Sequence, residues 1–171
     1  MTITDAEMAA LLAPGGFRFL RRLAEDEVPP LPTPPGRGAA SCLREHGRVD
    51  SPLVDIDDPD LPAKVRAGWH DMAVEYGLLD DDREFLLCVD YSDPEDVDSE
   101  WEWARVRLLD EWDLGGGDDG PLPPWMRFYM GRRFVPEFTV MSLDGRLLMN
   151  TTLWGDGTVS TIVICPSRLL P

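Results

Sequence analysis

Pro136-Glu137-Phe138-Thr139-Val140-Met141-Ser142-Leu143-Asp144-Gly145-Arg146-Leu147-Leu148-Met149-Asn150-Thr151-Thr152-Leu153-Trp154-Gly155-Asp156-Gly157-Thr158-Val159-Ser160-Thr161-Ile162-Val163-Ile164-Cys165 contains three β-prone runs broken by two turns. The runs are Pro136–Leu143, Arg146–Trp154 and Thr158–Cys165. Asp144-Gly145 separates the first two and Gly155-Asp156-Gly157 the second two. Asp-Gly between apolar runs is a hairpin signal, because both central positions tolerate positive φ. The stretch therefore predicts a three-stranded antiparallel meander.

Working outward, Glu84–Tyr91 is short, apolar and bounded by acidic turns, which predicts a buried strand able to join the meander. Upstream, Asp60-Leu61-Pro62 reads as a helix start with proline in the first turn. Val65, Trp69, Met72, Ala73 and Tyr76 then form one apolar face, and Gly77 follows as a stop. The expected helix covers about residues 61–76 and packs on one face of the sheet. Between these elements and the meander, Ser99-Glu100-Trp101-Glu102 resembles a capping box, and Trp101, Ala104, Leu108, Leu109 and Trp112 share a helical face. The alternation of Trp101 and Trp103 also allows a strand.

At the N-terminus, Thr4-Asp5-Ala6-Glu7 is a capping box opening a short helix, and Pro14-Gly15-Gly16 ends it. Apolar residues at 17, 20, 23 and 24 suggest a further helical turn or two. The proline-rich run from Val28 to Gly38 excludes helix and interior strand. The expected organisation is a helical appendage over 1–27, a proline-rich linker over 28–38 and one α+β domain over 39–171. In it, a C-terminal antiparallel meander packs against one or two helices. The length, 171 residues, suits one domain of ordinary size.

Charge is distributed by region. Residues 1–49 are neutral overall, residues 50–119 carry 23 acids against five bases, and residues 120–171 are net +2. The total is −16, which argues against direct binding to a nucleic-acid backbone. No apolar run is long enough to cross a membrane, and the first residues lack the order of a signal peptide. Three widely spaced cysteines, Cys42, Cys88 and Cys165, do not form a disulfide framework. These features predict a cytoplasmic protein. Fifteen of the sixteen basic residues are Arg, a usage typical of GC-rich bacterial genomes.

No catalytic constellation stands out. Cys42 and His46 lie four apart, and with His70 they are the candidates for an open metal site or a thiol–imidazole pair. Asp90-Tyr91-Ser92-Asp93-Pro94-Glu95 begins like a calcium loop but has proline at the fifth position and no glycine at the sixth. No G-x-S-x-G, P-loop or dinucleotide fingerprint occurs. Accordingly no catalytic residue, metal ligand or cofactor is assigned.

Tryptophan is the remaining signal. Trp101, Trp103 and Trp112 all lie in the acidic region. On a helix, Trp101 and Trp112 would face inward, and Trp103 would point outward between carboxylates, as a binding hot spot does. The surface physics is similar to that of immunity proteins and nuclease inhibitors in general: small, strongly acidic and without catalytic machinery. The expected function is an acidic protein-binding module that neutralises a basic partner such as a toxin or nuclease. Its expected partner-binding residues are Asp80, Asp81, Asp82, Asp93, Glu95, Asp96, Asp98, Glu100, Glu102 and Trp103. The alternative is a small bacterial enzyme or ligand-binding domain with a pocket between sheet and helix.

Overall fold

The computed structural model describes residues 3–90, 101–112, 127–130, 133–136 and 138–169. The chain opens with α1 (Asp5–Leu12), then β1 (Phe17–Arg22), β2 (Arg48–Asp50) and β3 (Val54–Asp55). After these come α2 (Leu61–Glu75), β4 (Glu84–Asp90) and β5 (Trp101–Leu108). The strands β6 (Arg127–Met130) and β7 (Arg133–Pro136) form a separate two-stranded ribbon. Finally come β8 (Phe138–Met141), β9 (Leu148–Leu153) and β10 (Thr158–Ile164). Short 3-10 turns fill much of the stretch from 25 to 46.

One eight-stranded sheet dominates, in the order β1-β5-β4-β8-β9-β10-β2, with β3 also on β10. Every pairing in it is antiparallel. The described residues are thus mostly sheet with two α-helices, a β-rich version of the expected α+β class. The meander is present as β8-β9-β10, and β4 joins it through β8. Of its first run, Pro136 belongs to β7, which pairs with β6, and Phe138–Met141 enters the large sheet.

The Asp144-Gly145 hairpin lies where expected, but its turn differs. Only Gly145 has positive φ, at 72°. The loop is longer than two residues, since the Ser142 amide donates to the Leu147 carbonyl across it. The Asp144 carboxylate accepts from the Ser142 hydroxyl at 2.7 Å and the Arg146 amide at 3.0 Å. Those local bonds hold Asp144 at negative φ and leave the left-handed position to glycine alone.

Two expected helices are strands. Phe17–Arg22 is β1, the end strand of the large sheet, paired with β5. Phe17 points into the core at 1% exposure while Arg18 faces out. A register shift between Phe19 and Arg21 inserts Leu20 as an extra residue. That bulge places apolar residues at 17, 20 and 23, which imitates helical spacing. Trp101–Leu108 is β5, with Ala104, Val106 and Leu108 buried on one face at period two.

Both faces of the sheet are covered. On one, α1 and α2 pack Met8, Leu12, Trp69 and Met72 against Phe85, Leu87, Val106 and Val140. Trp69 is completely buried and its ring lies near Phe85, Phe138 and Trp112. On the other face, Leu86, Trp103, Met141, Ile162 and Ile164 pack with Ala39 and Cys42, and Leu23 and Val28 lean on them. Burial on two sides explains why β4 and β10 read as continuous apolar runs. The expected appendage assumed no apolar docking of Phe17, Phe19 and Leu20. Phe17 does dock, in the same core as Met8 and Leu12. The proline segment docks as well: a Cβ built on Gly145 would lie 2.5 Å from the Pro29 side chain.

Candidate binding groove

The second face is not filled evenly. Val28, Pro29, Pro30 and Leu31 run beside Cys88, Trp101, Trp103 and Thr139, and a groove of about 760 Å³ lies among them. Proline fixes φ and keeps this segment extended, so it forms a wall without forming a strand. The sheet side is set by register: Cys88 stands opposite Trp103, and Asp90 opposite Trp101. Residues two apart on a strand share a face, so Trp101 and Trp103 both look toward the proline segment. Trp103 is 7% exposed, packed with Leu86 and Met141. Trp101 is 55% exposed. The helical expectation, Trp101 inward and Trp103 outward, is therefore reversed. Strand geometry buries the indole nearer the middle of the sheet and leaves the terminal one in solvent.

Among the described residues, the expected partner-binding acids lie in two places. Asp80, Asp81 and Asp82 are exposed in the turn before β4, where the Asp82 amide donates to Asp80 Oδ1 at 3.0 Å. Glu102 lies at the other end of the β4–β5 pair. β4 runs from Glu84 to Asp90, so the two ends are roughly 20 Å apart at about 3.3 Å per residue. Glu102 also has an internal partner. Arg22 Nη1 donates to it, and the same guanidinium reaches the Ile3 carbonyl at 2.5 Å and Asp5 at 3.2 Å. Asp93, Glu95, Asp96, Asp98 and Glu100 lie outside the described residues. Glu25 and Glu102 are among the residues that line the groove beside Trp101, with the Glu102 carboxylate turned to Arg22.

The thiol and imidazoles serve local structure. Cys42 is 1% exposed and its Sγ lies 3.5 Å from the Gly38 carbonyl. His46 Nδ1 accepts from the Leu43 amide at 2.9 Å, closing a 3-10 turn. His70 stacks on Trp112 with ring centroids 5.4 Å apart. Among the described residues no group of three or more His, Cys, Asp or Glu side chains is placed to hold a metal ion. The space between α2 and the sheet is occupied by Trp69, Met72 and Ala73. A second hollow, of about 510 Å³, lies beside Arg48 and Trp154. Arg48 is fixed there over the Trp154 ring, held by Asp50 and by the Ala40 and Cys42 carbonyls. No helix among the described residues is long and apolar enough to cross a membrane.

Comparison with protein-family models, with curated proteins and with solved structures finds no match. The sequence pattern missed the groove because its wall is a contact between residues far apart in the chain. The one local signal was the Trp101/Trp103 alternation, which marks two aromatics on one strand face.

Proposed function

We propose that this chain is an acidic binding module, of the immunity or inhibitor type, that neutralises a basic protein partner such as a toxin or nuclease. The observation that carries the reading is Trp101, an exposed indole at the end of β5 within a groove that Glu25 and Glu102 also line. Its register partner, Asp90, is where the acid-rich stretch with Asp93, Glu95, Asp96 and Asp98 begins. Indoles in partly desolvated pockets surrounded by polar residues are typical interface anchors. Carboxylates around them steer a cationic partner and raise its association rate. The revised anchor is Trp101, with Trp103 as the packed floor beside it.

Capture from the native host's lysate tests the reading. Wild-type protein should retain a basic partner at low salt and release it at high salt. Glu95→Lys with Asp96→Lys and Asp98→Lys should slow association, and Trp101→Ala should speed dissociation, both with the fold intact. Identical partners for all three proteins would refute the module and return attention to the enzyme alternative.

A further inference from the structure

The same face of β5 changes character along its length, from Trp101 and Trp103 to Arg105 and Arg107. Beside the two arginines, β1 contributes Arg18 directly opposite Arg107 and Arg21 directly opposite Arg105. Opposed residues of an antiparallel pair leave the sheet on the same side, with Cβ atoms about 5 Å apart, and like charges there repel. Among the described residues two carboxylates answer the four guanidiniums. Glu84, opposite Arg107 on β4 and 8% exposed, accepts from Arg105 Nε at 2.8 Å and from Arg107 Nη2. Glu27 accepts from Arg21 at 2.9 Å. Arg18 is exposed and has no ion-pair partner among the described residues. The array keeps a positive surplus, and the side chains of Arg21, Arg105 and Arg107 remain 48%, 38% and 40% exposed.

Solubility does not call for this arrangement in a chain with twice as many acids as bases. Charge on an end strand deters edge-to-edge pairing, which accounts for Arg18 and Arg21. It does not account for Arg105 and Arg107, which lie on the second strand and share the single carboxylate of Glu84, with Arg105 using both Nε and Nη2 on it, so that one of their two positive charges is left over. We propose that the four-arginine array docks an extended acidic polypeptide segment that lies over β1 and β5. Guanidinium forks bind carboxylates in paired hydrogen bonds. Alternate side chains of an extended segment repeat about every 6.6 Å, the spacing of Arg105 and Arg107 along their strand. An open sheet surface suits a polypeptide better than a small anion, which needs a concave site. A nucleic-acid backbone is the poorer fit, because the array is small and the molecule around it carries a net charge of −16. This surface is separate from the Trp101 groove and does not depend on its function.

The test is fluorescence anisotropy on the full chain with a short labelled peptide alternating Glu and Thr. Binding should weaken with salt. Arg18→Gln with Arg21→Gln should lose about tenfold in affinity, the equivalent of two charge-assisted contacts. Arg18→Gln alone removes no ion pair among the described residues. It should weaken binding about threefold while raising the unfolding midpoint by relieving its repulsion with Arg107. Trp101→Ala should bind the peptide unchanged, which separates this proposal from the groove. Equal binding by wild type and the Arg18→Gln variant would overturn it. So would equal affinity for a Gln–Thr control peptide, and tighter binding of single-stranded DNA would overturn the class of partner.

Discussion

One sheet carries two unlike surfaces. The face under α1 and α2 is closed by regular elements, with Trp69 at 0% exposure among aromatic rings. The face under the proline segment is closed by irregular chain and leaves a groove, an exposed indole and an open arginine array. Helices bury a continuous stripe of side chains and fill the space beneath them. An extended proline segment has no such stripe, so it covers only where individual side chains such as Val28 reach down. The first face holds the fold and the second presents chemistry. That division can be tested by removing pieces from each side.

The largest effect should come from deleting residues 1–35. The deletion takes Met8, Leu12 and Phe17 from the helical face and the wall of the groove from the other. It also strips β5 of its partner β1. Cooperative thermal unfolding should be lost. A truncated chain that still melts in one sharp transition would restore the view of this region as a dispensable appendage.

Trp103→Ala should follow, costing about 3–5 kcal/mol in denaturant unfolding, the usual range for a buried large aromatic. Trp103 belongs to the proline-covered face, so this asks whether that face is structural beneath the groove. A loss below about 1 kcal/mol would mean the cover collapses into the space without cost.

Gly145→Val sharpens the comparison at a single contact. Gly145 has φ of 72°, and an added Cβ would meet Pro29 at 2.5 Å. Backbone strain alone costs about 1–3 kcal/mol, and the collision couples the hairpin to the proline segment. Adding Pro29→Gly should recover part of the loss in a double-mutant cycle. Strict additivity would show that the segment yields freely at this point.

How much of this was legible depended on the period of each element. The meander is marked by its Asp144-Gly145 and Gly155-Asp156-Gly157 turns and α2 by its 3.6-residue apolar face, and β9, β10 and α2 stand close to their expected limits. β1 was misread because Leu20 sits in a bulge, which turns alternation into apparent three-residue spacing. β5 was misread because Trp101, Ala104 and Leu108 also satisfy a helical face. The groove and the arginine array could not be read locally. One needs Val28–Leu31 brought against β5, and the other needs the β1–β5 register that places Arg18 across from Arg107.

A smaller effect concerns acid. Hydrogen bonds from Arg107, then Arg105, hold the Glu84 carboxyl below its ordinary value of 4.5. A carboxyl with a lowered folded pKa stabilises the fold at neutral pH, and the contribution disappears as pH falls from about 4.5 through the lower folded value. Glu84→Gln should therefore lower the unfolding midpoint at neutral pH, with the gap from wild type narrowing below that point. A gap that stays constant into acid would show that Glu84 acts through packing rather than charge.

The smallest effect on stability, and the sharpest on function, belongs to Trp101→Ala. Trp101 begins β5 and is 55% exposed, while its neighbour two residues on is 7% exposed. The two indoles share a face, so truncating them compares a solvent-facing anchor with a packed floor in one strand. Stability should change by no more than about 0.5 kcal/mol, the range of surface substitutions. Partner dissociation should accelerate by the equivalent of about 2 kcal/mol if the indole anchors the complex, and association should stay near its wild-type rate because no charge is altered. A large loss of stability would place Trp101 with Trp103 in the core and remove the contrast between the two faces. An unchanged dissociation rate with unchanged stability would leave the indole without a partner and move the interface toward the acids of the turn before β4, roughly 20 Å away along the strand.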